Sequence, residues 1–380
     1  MSGVTKTKRP HETAIGLPKA DLSTPSLLLD LDVFDANLQK MAAHVKSAGI
    51  NLRPHAKSHK CVEIAQRQIG AGALGVCATT IREAEALAAA GIPGILITSP
   101  MVGADKVRRL VALTLDHPDA ISVVDNQAHV EHLSAAAAAA AVTLNVLVDL
   151  DLGLHRTGIA SVEEGLSLAD LIVRLPNLNL CGVSAYSSMS AHVVGYDERR
   201  VHSLNAMQPA IELLQRLKRR GVSAEILSGG STGTYNIDTE LDGMTELQAG
   251  SYIFMDVDYR VIGGKSGPVF DDFGPSLTVM TRVVSKSHSG FATVDAGFKA
   301  FATDRAFGPE LRGITGCIYH FAGDEHGILE LADPSPDIGF GDRLEFIVPH
   351  CDPTVNLFDR IYCTRGHAVE AVWPICRGYD

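Results

Sequence analysis

The feature that most constrains this 380-residue sequence is an alternation. Short runs of β-branched and aliphatic residues recur between stretches of helical periodicity, at 51–55, 75–79, 94–99, 121–125, 144–149, 178–186, 224–228 and 245–249. Each run is followed by a helix or by a loop long enough to hold one. A chain that returns through a helix before laying its next strand makes parallel pairings. Eight such units, in about 250 residues, fit a closed (β/α)8 barrel better than an open doubly wound sheet. Helix ends sharpen the pattern. The opening helix carries Phe34, Leu38, Met41 and Val45 on one face, with Asp32 as its cap and Gly49 as its stop. Thr80 and Glu83 make a capping-box pair at the head of a helix that closes at Gly91. Further helices are expected over 129–141 and 204–219.

Beyond about residue 265 the texture changes. Runs at 277–284, 291–294, 344–348 and 360–364 are bounded by Gly, Asp and Pro, with little helical periodicity between them. That spacing predicts a mostly antiparallel β module. The expected organisation is a barrel over 25–262, a linker near 263–267 and the β module over 268–380. Residues 1–24 form a leader for which the β module offers a packing surface. The cluster Lys6, Lys8 and Arg9 in that leader reads as a frayed, solvated tail. The net charge of −11 argues against nucleic acid or an anionic membrane as partner. No run approaches the roughly 18 apolar residues of a membrane span. The seven cysteines are odd in number, widely spaced and without a CxxC pair, so a reducing, cytoplasmic setting is expected.

Working residues of such a barrel sit at the carboxyl ends of its strands. Read there, the sequence offers Arg53-Pro54-His55-Ala56-Lys57-Ser58-His59-Lys60 after the first strand. Asp149, Asp151, His155 and Arg156 follow the fifth; Tyr186 and then His192 follow the sixth. Ser228-Gly229-Gly230-Ser231-Thr232-Gly233-Thr234 follows the seventh, and Gly250-Ser251-Tyr252 the eighth. Loops after strands seven and eight commonly hold phosphate, and a Gly/Ser/Thr loop supplies close N–H groups and hydroxyls. A tight turn is the plain alternative. Lys57, crowded by Arg53, His55, His59 and Lys60, has its ammonium form disfavoured, as an amine nucleophile toward an aldehyde requires. Together these features suggest a phosphorylated aldehyde cofactor, pyridoxal 5′-phosphate (PLP). In the β module, His350 and Asp352 would share one face of an extended segment and could share a divalent cation. A structural His–Asp hydrogen bond explains the pair equally well, and Asp324-Glu325-His326-Gly327 reads as an ordinary turn.

The segments Arg53-Pro54-His55-Ala56-Lys57, His155-Arg156, Ser228-Gly229-Gly230, Glu246-Leu247-Gln248-Ala249-Gly250-Ser251-Tyr252, Asp324-Glu325-His326-Gly327 and His350-Cys351-Asp352-Pro353-Thr354 resemble those of D-threonine aldolases. These are metal-activated fold-type III PLP enzymes, a group that includes eukaryotic D-serine dehydratases and 3-hydroxyaspartate aldolases. The resemblance spans nearly the whole chain. It implies that Lys57 is the Schiff-base lysine and that Arg156 and Tyr186 contact the cofactor ring. It places Ser231, Thr232, Gly233, Gly250, Ser251 and Tyr252 around the phosphate, and Mn2+ or Mg2+ on His350 and Asp352. It also implies a homodimer. This chain departs from the family at Cys77-Ala78-Thr79-Thr80, where Cys-Gln-Lys is expected, at Ser187 after Tyr186, and at Ser231, where a third glycine is expected.

The activity so implied is retro-aldol cleavage of a β-hydroxy-D-amino acid to glycine and an aldehyde, with His192 as base at the β-hydroxyl. Competing expectations are a D-serine or 3-hydroxyaspartate dehydratase, a 3-hydroxy-D-aspartate aldolase, and a non-catalytic PLP-binding protein. A sugar-phosphate barrel without PLP is a further alternative. The related D-serine dehydratases resemble this chain but place Cys where Asp352 stands, and a hard carboxylate suits Mn2+ or Mg2+ better than zinc.

Overall fold

The computed structural model describes residues 14–333 and 336–379; the cluster Lys6, Lys8 and Arg9 lies outside the described residues. The chain divides into two units. One gathers Leu38–Tyr252, Val261–Asp272 and residues 378–379; the other gathers the described residues up to Asn37, Ile253–Arg260 and the described part of Phe273–Arg377. The first strand, β1 (Ser26–Asp30), falls in the second unit, although the sequence reading began the barrel at residue 25.

In the first unit all eight expected runs form strands: β2 (Asn51–Leu52), β3 (Cys77–Ala78), β4 (Leu96–Ile97), β5 (Ile121–Val124), β6 (Leu144–Leu150), β7 (Leu178–Ala185), β8 (Ile226–Gly229) and β9 (Glu246–Leu247). They pair in parallel in the order β2-β9-β8-β7-β6-β5-β4-β3. A parallel bridge between His55 and Cys77 then closes the sheet on itself, which makes it a (β/α)8 barrel. Pro54 has no N–H to give, so the first ladder is short, yet Arg53 and His55 still donate to the carbonyls of Leu247 and Ala249.

Inside this closure sits a buried ion pair. The Arg53 guanidinium donates to both oxygens of Glu246, at 2.8 and 2.9 Å, and the two side chains are 3% and 2% exposed. The pair ties the first strand of the barrel to the last. Replacing Glu246 with alanine strands a buried guanidinium, and a loss of ~3–5 kcal/mol in unfolding free energy is expected. Urea denaturation of the cofactor-free protein measures it; a loss below ~1 kcal/mol would mean the pair is solvated and contributes little.

Local signals hold, with two shifts. Phe34, Leu38, Met41 and Val45 are all buried on the helix Leu31–Ala48. Its cap, however, is Asp30: Asp30 Oδ1 accepts from the N–H groups of Asp32 and Val33 at 3.2 and 3.3 Å, while Asp32 pairs with Arg365. Thr80 accepts from Glu83 N–H, and Glu83 reaches back to Thr79 N–H at 2.8 Å. The helix expected over 204–219 is instead two, Tyr196–Ala206 and Gln208–Arg219, broken at Met207 because Pro209 cannot continue the first.

The second unit is the β module. Its strands are β1, β10 (Leu277–Ser285), β11 (Phe291–Val294), β12 (Glu310–Leu311), β13 (Cys317–Phe321), β14 (Gly327–Leu331), β15 (Arg343–Ile347), β16 (Arg360–Arg365) and β17 (Ala368–Pro374). All pairings are antiparallel except β1 with β16. The described part of the leader lies along β17: Gly16 donates to Val369, Val369 donates to Leu17, and Ala14 and Leu22 pack with Leu28, Met280 and Val369. None of the seven cysteines forms a disulfide, and no described helix is long and apolar enough to cross a membrane.

Candidate functional site

Closure of the barrel decides what surrounds Lys57. Strands β2 and β9 are neighbours, so the turn after the first strand adjoins the loop after the eighth instead of facing it across the barrel. Gly250 is what lets them meet: a Cβ there would stand 2.9 Å from the His55 carbonyl oxygen and 3.2 Å from the His55 Cβ. Lys57 is exposed in the 3-10 turn Ala56–Ser58, and its N–H donates to His55 Nδ1 at 3.4 Å. Arg53 is neutralised by Glu246, Lys60 lies 3.5 Å from Glu83, and the Nδ1 atoms of His55 and His59 accept backbone N–H groups. The cationic side chains that crowd Lys57 in the sequence therefore each have a partner of their own in the fold.

The loop after β8 is built from inside. Thr234 Oγ1 donates to Asp238, accepts from Ser231 N–H, and lies 3.0 Å from Ser231 Oγ; Ser203 donates to the other Asp238 oxygen at 2.6 Å. Thr232 is 1% exposed, and its Oγ1 is buried with no hydrogen-bond partner among the described residues. A buried hydroxyl left open in this way is a site awaiting an acceptor, and it fits a phosphate oxygen. The Tyr252 side chain is wholly buried, with its hydroxyl accepting from Gln68 Nε2 at 3.2 Å. Ser251 is buried beside it.

Burial lifts the Asp238 carboxyl to about 6, against the opposing pull of the Ser203 and Thr234 hydroxyls. The folded protein therefore holds this proton more tightly than the unfolded chain, where the value is about 3.9. The resulting stabilisation is present below pH ~4 and lost as pH rises through about 6. In cofactor-free protein, the stability of Asp238→Asn relative to wild type is expected to rise by about 2 kcal/mol between pH 4.5 and 7.5. Parallel pH profiles of unfolding free energy for the two proteins would contradict the assignment.

Arg156 and Tyr186 come together at the ends of β6 and β7, the guanidinium carbon 5.9 Å from the ring centroid. Beneath them Asp149 is lifted to about 6 by burial, with Thr157 and Ser184 hydroxyls acting the other way. His192 is half-buried at the end of the short helix Ser188–Ala191. Ser187 turns out to cap that helix, accepting from Ser190 N–H. Thr79, in the stretch that departs from the family, carries a second buried hydroxyl with no partner among the described residues.

In the β module, His350 and Asp352 are not on one extended strand. His350 is extended and caps a short helix, Cys351–Val355, with Asp352 in its first turn. The chain turns there because Asp256 accepts from Cys351 N–H and Thr354 Oγ1 donates to the His350 carbonyl. Sequence reasoning missed Asp304, whose Oδ2 lies 2.7 Å from His350 Nδ1 and is held in turn by Arg305. With Nδ1–H given to Asp304, His350 keeps its Nε2 lone pair for a cation, and the Asp352 carboxylate is a hard second donor. The donor chemistry fits a Mn2+- or Mg2+-type ion completed by water. No cluster of three or more metal-ligating side chains occurs among the described residues.

Known proteins resemble this chain over nearly its whole length. An alanine racemase N-terminal domain matches residues 29–258, and a serine dehydratase domain matches 276–364. The chain is 37% identical to the D-threonine aldolase of Arthrobacter sp., over 96% of its own length and 95% of that protein's. It belongs to the family of alanine racemase N-terminal domain proteins that includes D-threonine aldolase. Another member, the 3-hydroxy-D-aspartate aldolase of Paracoccus denitrificans (strain Pd 1222), is 34% identical over 95% of this chain and 93% of that one. The crystal structure of D-threonine aldolase from Filomicrobium marinum matches with a TM-score of 0.91 at 35% identity, covering 95% and 97% of the two chains. The family fold is that of PLP-dependent alanine racemase, a barrel followed by a β domain.

Proposed function

We propose that this protein is a lyase that cleaves β-hydroxy-D-amino acids of the D-threonine type into glycine and an aldehyde, using PLP and Mn2+ or Mg2+. The observation that carries the reading is the carboxyl mouth of the barrel: an exposed lysine turn packed on Gly250, beside a loop that buries the open hydroxyl of Thr232. Full-length similarity to two aldolases supports the choice of reaction.

Bound at this mouth, PLP would supply an electron sink for the pair released at Cα. The protein's own groups do the rest. Lys57 presents a primary amine to the cofactor aldehyde, and the Thr232 hydroxyl holds a phosphate oxygen. Arg156, stacked on Tyr186, orients the ring. His350 Nε2 and the Asp352 carboxylate would hold the cation, which would supply positive charge to lower the pKa of the substrate hydroxyl. His192 accepts the proton from the β-hydroxyl oxygen. The reading carries with it a homodimer and a cytoplasmic setting, the latter supported by seven cysteines without a disulfide.

The serine dehydratase domain over 276–364 favours a second reading, in which the β-hydroxyl leaves instead of the aldehyde. Product analysis on D-threonine, D-phenylserine and 3-hydroxy-D-aspartate separates the two. Aldehyde and glycine support the aldolase; a 2-oxo acid and ammonia support the dehydratase and overturn the first reading.

A further inference from the structure

Two arginines lie fully inside the barrel unit, and they are treated differently. Arg53 faces a carboxylate. Arg199 does not. It is 0% exposed on the helix Tyr196–Ala206, and every one of its hydrogen bonds goes to a carbonyl oxygen. Nε donates to Gly233 at 2.8 Å, one terminal nitrogen to Val193 at 2.8 Å, Ile262 at 2.9 Å and Gly195 at 3.4 Å, and the other to Gly263 at 2.8 Å. The rings of Tyr196 and Phe270 lie 5.9 and 5.7 Å from its guanidinium carbon. No carboxylate is in ion-pair contact with it among the described residues; Asp272 acts on it only through its more distant charge. Carbonyl dipoles satisfy the donors but leave a full positive charge in a medium of low dielectric, which is costly without a counter-ion.

Where that charge sits gives it a purpose. Gly233 directly follows Thr232, whose buried Oγ1 is open, and Gly233 is pressed on the Ala191 carbonyl so closely that a Cβ would stand 2.1 Å away. Arg199 therefore pins three segments at once: the loop after β8, the Val193–Gly195 stretch following His192, and the turn at Ile262–Gly263. We propose that Arg199 is the resident counter-charge of the phosphate site, a positioning residue that clamps the Gly233 loop and whose missing anion is the dianionic phosphate of the cofactor. This rests on the reading of Ser231, Thr232 and Gly233 as the phosphate loop, and it adds a residue that never touches the ligand.

The test compares PLP with pyridoxal, which lacks the phosphate, in equilibrium titrations of the cofactor-free protein followed by fluorescence. Wild type is expected to prefer PLP strongly. In Arg199→Gln, PLP affinity is expected to fall ~10–30-fold while pyridoxal affinity changes less than ~3-fold; Arg199→Lys, which keeps the charge and loses the fan of bonds, retains most of the preference. Equal loss for both ligands in the Gln variant, or an unchanged preference, would reduce Arg199 to a structural clamp and overturn the proposal, while the loop reading stood. No preference in wild type would remove the loop reading itself, and this proposal with it. Should Arg199→Gln not fold, Asp272→Asn decides the matter. It removes the carboxylate whose charge acts on Arg199, and PLP is expected to bind ~2-fold more tightly at low ionic strength, with pyridoxal unaffected. Unaltered PLP affinity there would overturn the counter-charge assignment.

Discussion

Replacing Lys57 with alanine is expected to lower the cleavage rate by roughly 10^4-fold, with the fold intact. The reason is chemical. On the proposed reading every other group at the barrel mouth binds, orients or moves a proton, and none of Arg156, Tyr186 or Thr232 carries a primary amine that can bond to an aldehyde. Lys57 is exposed, so removing its side chain opens no cavity in the core. Circular dichroism and unfolding free energy should match wild type within ~0.5 kcal/mol. The direct measurement is covalent: borohydride reduction of wild-type holoprotein should leave a pyridoxyl group on the peptide that carries Lys57. A label on another lysine, or an active Lys57→Ala protein, would end the assignment.

His350→Ala is expected to remove the response to Mn2+ and to cost ~10^2–10^3-fold in activity. Chelation of wild type should reproduce that loss, and added Mn2+ should restore wild type but not the variant. Asp304 supplies a finer test, because it acts on the cation only through the imidazole. With the 2.7 Å contact to Nδ1 gone, His350 is free to rotate and to change tautomer. Asp304→Ala should therefore weaken Mn2+ binding ~10–100-fold, measured by calorimetric titration, with Asp304→Asn in between. Undiminished Mn2+ affinity in His350→Ala would place the ion elsewhere.

How much of this was legible in the sequence follows from the range of the forces involved. The eight strand runs were readable because a strand buried on both faces is a short unbroken apolar run, and the helix faces because burial acts with a period near 3.6 along a helix. The capping pair at Thr80 and Glu83 was readable because its partners are three residues apart. Misreadings cluster where a nearby residue competed. Asp32 looked like the cap of the first helix, but Asp30, two residues earlier, has the extended backbone of β1 and takes the N–H groups first. His350 and Asp352 looked like one face of a strand, until Asp256, remote in sequence, bound the Cys351 N–H and turned the chain into a helix.

The candidate site was legible as residue types and not as an arrangement. Lys57, the glycine-rich loop and the His350 segment could all be marked from the sequence. The partner that matches Arg53 beside Lys57 could not, because Glu246 lies 193 residues away. Arg199 stands in an Arg-Arg pair on a polar stretch of helix and carries every sign of an exposed side chain; only its partner Arg200, on the surface with Glu240, behaves that way.

The sequence by itself determined the repeating strand–helix unit, the change to antiparallel β structure near residue 265, and the kinds of side chain delivered to each strand end. All of these are set by interactions between residues a few positions apart, which local periodicity records. Only the tertiary structure decided which charge meets which: Glu246 for Arg53, Asp304 for His350, and five carbonyl oxygens for Arg199. Most of those pairings form between segments that are distant in the sequence and meet only in the fold. For Arg53 and Arg199 their strength comes from exclusion of water, and exclusion belongs to the folded packing, with no trace in the order of residues along the chain.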